Sequence, residues 1–220
     1  MPDIELIDVP SNPNTEETTQ TTSENSSNVA TSVPASAPVP REIWQTFHWA
    51  FFINVQALVI CLHRFSEFMN SETYESAEVE LESATQLLTA SGAAMQLAGS
   101  FQRHQYEKEV RISMMPPNVE SNNFSGIMSW EHATLMVIWR KLRPAFNNLP
   151  ECLGGAHEGF VRAYYDMAIG HTKVCEKFGG LEDGSIRFDE RSGVETLKRF
   201  IRNRIGLIDP KQQIKGCPFS

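Results

Sequence analysis

Six histidines and four cysteines hold most of the ligand chemistry in this 220-residue chain, and one pair is spaced for joint action. In His171-Thr-Lys-Val-Cys175 the imidazole and the thiol stand four residues apart. On a helix that spacing advances about 6 Å and turns only about 40°, so both side chains share a face. Together they could bind zinc. They suit a haem differently. With His171 on the iron, the helix would run along the macrocycle, and Cys175, one turn on, would reach a peripheral vinyl group. A buried thiol beside a hydrogen-bonded histidine fits the same spacing, so the pair alone leaves these readings open.

His132 adds a second imidazole, with 38 residues between it and His171. Here the chain resembles the histidine-ligated haem-dependent aromatic oxygenases, relatives of tryptophan 2,3-dioxygenase, in the branch marked by this His…His-x-x-x-Cys spacing. The stretches VRISMMPP, NFSGIMSWEH and RAYYDMAIGHTKVC are similar as well, and the likeness covers roughly residues 85–205. The resemblance implies a covalently attached, c-type haem with two axial histidines and a single thioether. Carried over, His132 and His171 are the axial ligands and Cys175 is the anchor. The implied activity is oxidation of an aromatic amino acid, such as tyrosine or a derivative, by peroxide or dioxygen. Members of that family carry further helices ahead of this region, so part of the enclosure is either missing here or lent by a second subunit. A homodimer is the expected assembly. The ordinary attachment signature Cys-x-x-Cys-His is absent, so dedicated periplasmic maturation is not implied.

Iron with two histidine ligands has no open position, and one ligand must leave before an oxidant binds. His171 sits mid-helix beside the anchor and is expected to stay. His132 opens a helix after a long loop, which makes it the expected labile ligand and a catalytic acid/base candidate. Arg111 could pair with an amino-acid carboxylate or a haem propionate, or stand solvated at a loop start. Phe124 and Ser125 could line a substrate pocket, or form an ordinary turn. His157 reads as a capping or core histidine, and His48, His63 and His104 as structural. Trp139 and Tyr164 suit core packing. The run KRFIRNR, Lys198 to Arg204, reads as a solvated helix face, with propionates as an alternative partner.

These residues must be positioned by helices. Residues 41–69 are rich in Trp, Phe, Leu, Ile and Val without Gly or Pro, which predicts a largely buried helix. Ser71 could cap a second helix running to about Phe101, in which Gly92 and Gly99 would mark close approach to another helix or a ligand. Residues 110–128, with Pro116–Pro117, predict a long irregular loop. Ser129 could cap a third helix, Trp130 to about Arg143, ended by Pro144. A fourth comes after Gly154–Gly155 and runs to Phe178, with His157, Val161, Tyr164 and Ala168 on its inner stripe. Ser192-Gly-Val-Glu195 fits a capping box for a last helix ending at Gly206. No strand pattern persists. The fold class is all-α: a helical bundle enclosing a haem.

Residues 1–40 differ. Ser, Thr, Asn and Pro fill 22 of these positions, with six acids and no Lys or Arg. They read as a disordered tail, and 41–220 as the helical haem-binding domain. The net charge of −8 argues against nucleic acid or an anionic membrane as partner. The longest apolar stretch, Trp49 to Leu62, is shorter than the roughly twenty residues of a span, and no secretory signal opens the chain. Four scattered cysteines suit a reducing compartment, so a cytoplasmic location is expected. Two rival readings fit the same residues. One is a non-enzymatic haem protein for electron transfer or sensing, and the other a metal-free or zinc-bound interaction module.

Overall fold

The computed structural model describes residues 39–119, 129–179, 184–185 and 188–211. Phe124, Ser125, Cys217 and all but the last two residues of the 1–40 tail lie outside them. The described chain is helical, as its periodicity predicts. A short antiparallel hairpin, β1 (Gly184–Ser185) with β2 (Phe188–Ser192), is an addition that no alternating pattern announces.

Helix α1 (Pro40–Asn70) starts on a proline, whose fixed φ and missing N–H suit a first turn. Val55, Leu58, Leu62 and Phe65 recur at helical spacing and are buried against α2 (Tyr74–Ala98), which offers Ala77, Leu81, Ala84 and Leu88. The expectation of a largely buried α1 is corrected. Trp49 is 70% exposed, and Ile53 and Ile60 lie beside it in the open. Composition signals an apolar helix, but its uniform apolarity hides that only one stripe faces the core. By length and composition α1 could cross a membrane, yet that one stripe is committed to α2.

Ser71 also departs from its expected role. Its hydroxyl donates back to the Glu67 carbonyl at 3.1 Å and finishes α1, while α2 begins after Thr73. Glu72 turns the chain with a φ of 58°. Gly92 and Gly99 do mark a close approach, to helix α6 (Gly154–Gly179). A β-carbon at Gly92 would stand 3.3 Å from the Met167 Cα, and one at Gly99 would stand 2.9 Å from the Val174 methyls. The absence of side chains there lets α2 and α6 approach backbone to side chain.

Beyond Ala98 the helix does not continue to Phe101. Instead α3 (Arg103–Gln105), a π-helical turn (Tyr106–Val110) and α4 (Arg111–Ser113) come next, so the expected irregular loop is helical to Ser113 and turns through residue 119. Helix α5 (Trp130–Asn147) is capped as predicted, with the Ser129 Oγ accepting from the His132 N–H at 3.2 Å. It runs through Pro144 rather than ending before it. A proline near a helix end disrupts few hydrogen bonds downstream, and Phe146, buried against Phe65 and Phe160, holds the final turn.

Helix α7 (Gly193–Ile208) extends two residues past Gly206. Two contacts fix its last turn. Arg143 of α5 donates to the Gly206 carbonyl at 3.2 Å, and the His157 Nε2 of α6 bonds the Ile208 carbonyl at 2.6 Å. Helix α7 is thereby tied to both helices that carry the paired histidines.

Replacing Gly92 with Leu should destabilise the fold by about 1–3 kcal/mol through overpacking at Met167. Gly155→Ala, where nothing lies within 4 Å, should stabilise by up to about 1 kcal/mol from helix propensity. Urea unfolding of both variants checks the pair; equal effects would contradict the packing described.

Candidate functional site

Helix α6 presents a buried stripe of His157, Val161, Tyr164 and Ala168, as its period predicts, and His171 and Cys175 extend it. His157 is a core histidine, stacked on Phe146 at 5.0 Å between ring centres. Helix α5 brings His132 from its first turn. The two imidazoles are near enough that His171 helps lower the pKa of His132. Their separation of 38 residues in sequence is thus closed in space.

Burial pushes both rings down to about 4, with the Arg204 guanidinium as the next cause in each case. Each imidazole is therefore neutral at pH 7, the form that can ligate a metal. His171 lies deep among protein atoms yet keeps part of its surface accessible. The Arg204 Nη2 contacts the His132 Nε2 directly. A guanidinium can only donate, so that nitrogen is the unprotonated one and the His132 proton sits on Nδ1.

Cys175 lies one turn beyond His171, partly buried at the edge of the core. Burial first, then Glu176, raises its thiol to about 11, so it is a protonated, quiet thiol at neutral pH. Around it a second aromatic cluster forms. Tyr106 stacks on Phe178 at 4.5 Å, and Trp44 packs at an angle against both. Arg111 faces this cluster. Its charge acts on the Tyr106 hydroxyl, which also feels Cys175. Among the softer candidates, Arg111 is therefore on the Cys175 side, while Phe124 and Ser125 lie outside the described residues.

His48 is structural as expected, packed on Trp44 at 4.0 Å with its Nδ1 bonded to the Trp44 carbonyl. One residue of this site was read otherwise from the sequence. Arg204, read within a solvated helix face, turns inward across the Phe200 ring to His132. The signal available was the alternation in KRFIRNR. Ile201 and Ile205 are buried, and the position before Ile205 shares part of that face.

Trp139 and Tyr164 are core residues as expected, each 1% exposed, packed edge to face at 5.3 Å. Their polar atoms are another matter. Neither the Trp139 Nε1 nor the Tyr164 hydroxyl has a hydrogen-bond partner, although the hydroxyl lies within range of Arg204. Among the described residues no three of His, Cys, Asp and Glu converge as a metal cage, so the imidazole pair offers two nitrogens rather than the four ligands of a structural zinc. A groove between α2 and α6, lined by Gln96, Gly170 and Lys173, opens on a different face of α6 from His171.

A family profile described as SfmD 3-methyl-L-tyrosine peroxygenase matches residues 7–156. The match takes in Arg111 and His132 and stops short of His171 and Cys175. The 3-methyl-L-tyrosine peroxygenase of Streptomyces lavendulae is 24% identical over 185 residues, covering 81% of this chain and 50% of that protein. The chain thus spans about half the length of this curated relative. No solved structure matches it significantly.

In the chain free of bound ligand, acid should destabilise the fold. Unfolded imidazoles take protons near pH 6.5 and the folded His132 and His171 only near 4, so stability present above 6.5 is lost as pH falls towards 4. Calorimetry between pH 7 and 4 should show Tm dropping by about 5 °C or more, and His132→Gln should flatten the slope. A Tm independent of pH over that range would contradict the buried neutral pair.

Proposed function

We propose that this chain, which belongs to the SfmD 3-methyl-L-tyrosine peroxygenase family, oxidises an aromatic amino acid of the tyrosine type, by hydroxylation or a related oxygen insertion. The oxidant is peroxide or dioxygen. The cofactor in this reading is a haem, which the ring nitrogens of His132 and His171 would hold and Cys175 would tether by one thioether.

One observation carries the reading: two buried, neutral imidazoles from separate helices lie near enough to act on each other, with a cysteine a single turn beyond one of them. The donor set fits. Neutral ring nitrogens ligate haem iron, and the buried, unpaired Trp139 Nε1 and Tyr164 hydroxyl supply polar atoms in want of acceptors. When bound, the haem would supply the activation of oxygen or peroxide that no side chain can perform.

The chain's own residues divide the remaining work. His171 sits on α6, which is clasped to α2 at Gly92 and Gly99, and so keeps its position. His132 sits in the first turn of α5, where the Ser129 hydroxyl caps its N–H, and is the ligand that yields. Its Nε2, unprotonated at neutral pH, can then take or return a proton near the substrate. Arg111, whose charge acts on Tyr106, would pair with a substrate carboxylate or a haem propionate.

The mass of the denatured, purified protein tests the cofactor. It should exceed the chain's mass by one haem, and the excess should vanish in Cys175→Ser; a bare chain mass with no Soret absorbance overturns the reading. His132→Ala should convert a six-coordinate low-spin spectrum to high-spin and speed cyanide binding at least about tenfold. An unchanged low-spin spectrum would remove His132 from the ligand set. Peroxide-dependent hydroxylation of 3-methyl-L-tyrosine by the wild type checks the activity.

A further inference from the structure

Arg204 stands beside three groups of the site. It contacts the His132 Nε2, its charge reaches His171, and the Tyr164 hydroxyl lies within its range. Among the described residues no carboxylate forms a salt bridge with it; the ion pairs there join Arg64 to Glu80, Arg103 to Glu107 and Arg162 to Glu158. Its other contact is the face of Phe200, 5.6 Å from the guanidinium carbon. The Tyr164 hydroxyl is fully buried with no group but Arg204 in range, and the Trp139 ring that packs edge to face on Tyr164 has an unpaired N–H. A half-buried cation and a buried hydroxyl thus sit together, with no carboxylate bridged to the cation among the described residues. Leaving such donors without an acceptor is costly, and an anion would relieve both together.

From this arrangement we infer that Arg204 and Tyr164 form a carboxylate-binding cradle beside His132, with Trp139 packed behind Tyr164. The guanidinium binds the two carboxylate oxygens as a fork, and the Tyr164 hydroxyl donates to one of them. A second argument runs through His132. Arg204 and a metal compete for the same Nε2 lone pair, so any occupant that claims His132 frees the guanidinium. A carboxylate arriving with that occupant then takes over the released donors. Two sources offer this chemistry: a porphyrin propionate, which rests on the haem reading above, and the α-carboxylate of a free aromatic amino acid, which does not.

Two binding comparisons on the full chain separate them. In a Cys175→Ser background, where a porphyrin can exchange, haemin is compared with its dimethyl ester by Soret titration. On the protein as purified, L-tyrosine is compared with tyramine by calorimetry. The cradle predicts that the carboxylate-bearing member of at least one pair binds about tenfold tighter or more, the range of a hydrogen-bonded charged group. Arg204→Gln should cut that preference to about threefold or less, Arg204→Lys should restore part of it, and Tyr164→Phe should weaken it by about threefold. Preference in the porphyrin pair assigns the site to a propionate, and preference in the tyrosine pair assigns it to substrate. Failure of both porphyrins to bind would sink the haem reading and leave the tyrosine pair to decide the cradle. If neither pair shows a preference, or the preference survives in both Arg204→Gln and Tyr164→Phe, the cradle is overturned. Tyr164→Phe removes one hydroxyl from a packed ring, so it carries the test if Arg204→Gln does not fold.

Discussion

A positive charge held against two imidazoles, with no carboxylate bridged to it among the described residues, governs the chemistry of this structure. Arg204 keeps its charge under all ordinary conditions, so the groups around it must adjust. Burial first, and then this charge, keep His132 and His171 neutral, and the contact at Nε2 selects one tautomer of His132. Burial works in the same direction, since a protonated imidazole would leave water for a place already positive. The outcome is a pair of ring nitrogens that can donate electron pairs, and a surrounding set of hydrogen-bond donors that needs an acceptor.

The helices are arranged unequally around that pair. Helix α6, with His171 and Cys175, lies against α2 at two glycine contacts, and its inner stripe is part of the main core. His132 belongs to the first turn of α5, where the Ser129 hydroxyl satisfies one free N–H. One imidazole is mounted on a helix clasped at two glycines, the other at the start of a helix. That asymmetry matches a site in which one ligand is fixed and the other can yield.

Helical periodicity made much of this legible. The stripe His157, Val161, Tyr164 and Ala168 is set by spacing alone and is buried throughout. The Ser129 cap and the Gly92 and Gly99 contacts can be read from residue type, because a hydroxyl at a helix start and a missing side chain each have few structural uses. Spacing could not carry the direction of long side chains. Arg204 belongs to a basic run that looks solvated, and only the burial of Ile201 and Ile205 rotates it inward. His48 sits one turn beyond Trp44 on α1, bonded to its carbonyl, so that contact is the local kind that helical spacing does carry. In α1 the apolar residues run all round the helix, so no pattern distinguishes the stripe on α2 from the face that carries Trp49 and Ile53. Pro144 fails as a stop signal because tertiary packing of Phe146 outweighs a local break.

Helix α7 has a further consequence through the way its end is pinned. The Arg143 and His157 bonds fasten the carbonyls of Gly206 and Ile208, just after Arg204. Sliding α7 by a single residue would carry Arg204 about 1.5 Å along the axis and swing it by about 100°. The guanidinium would leave both rings at once. The electrostatic state of the imidazole pair is therefore indexed by the threading of one short amphipathic rod, and two backbone latches set the index.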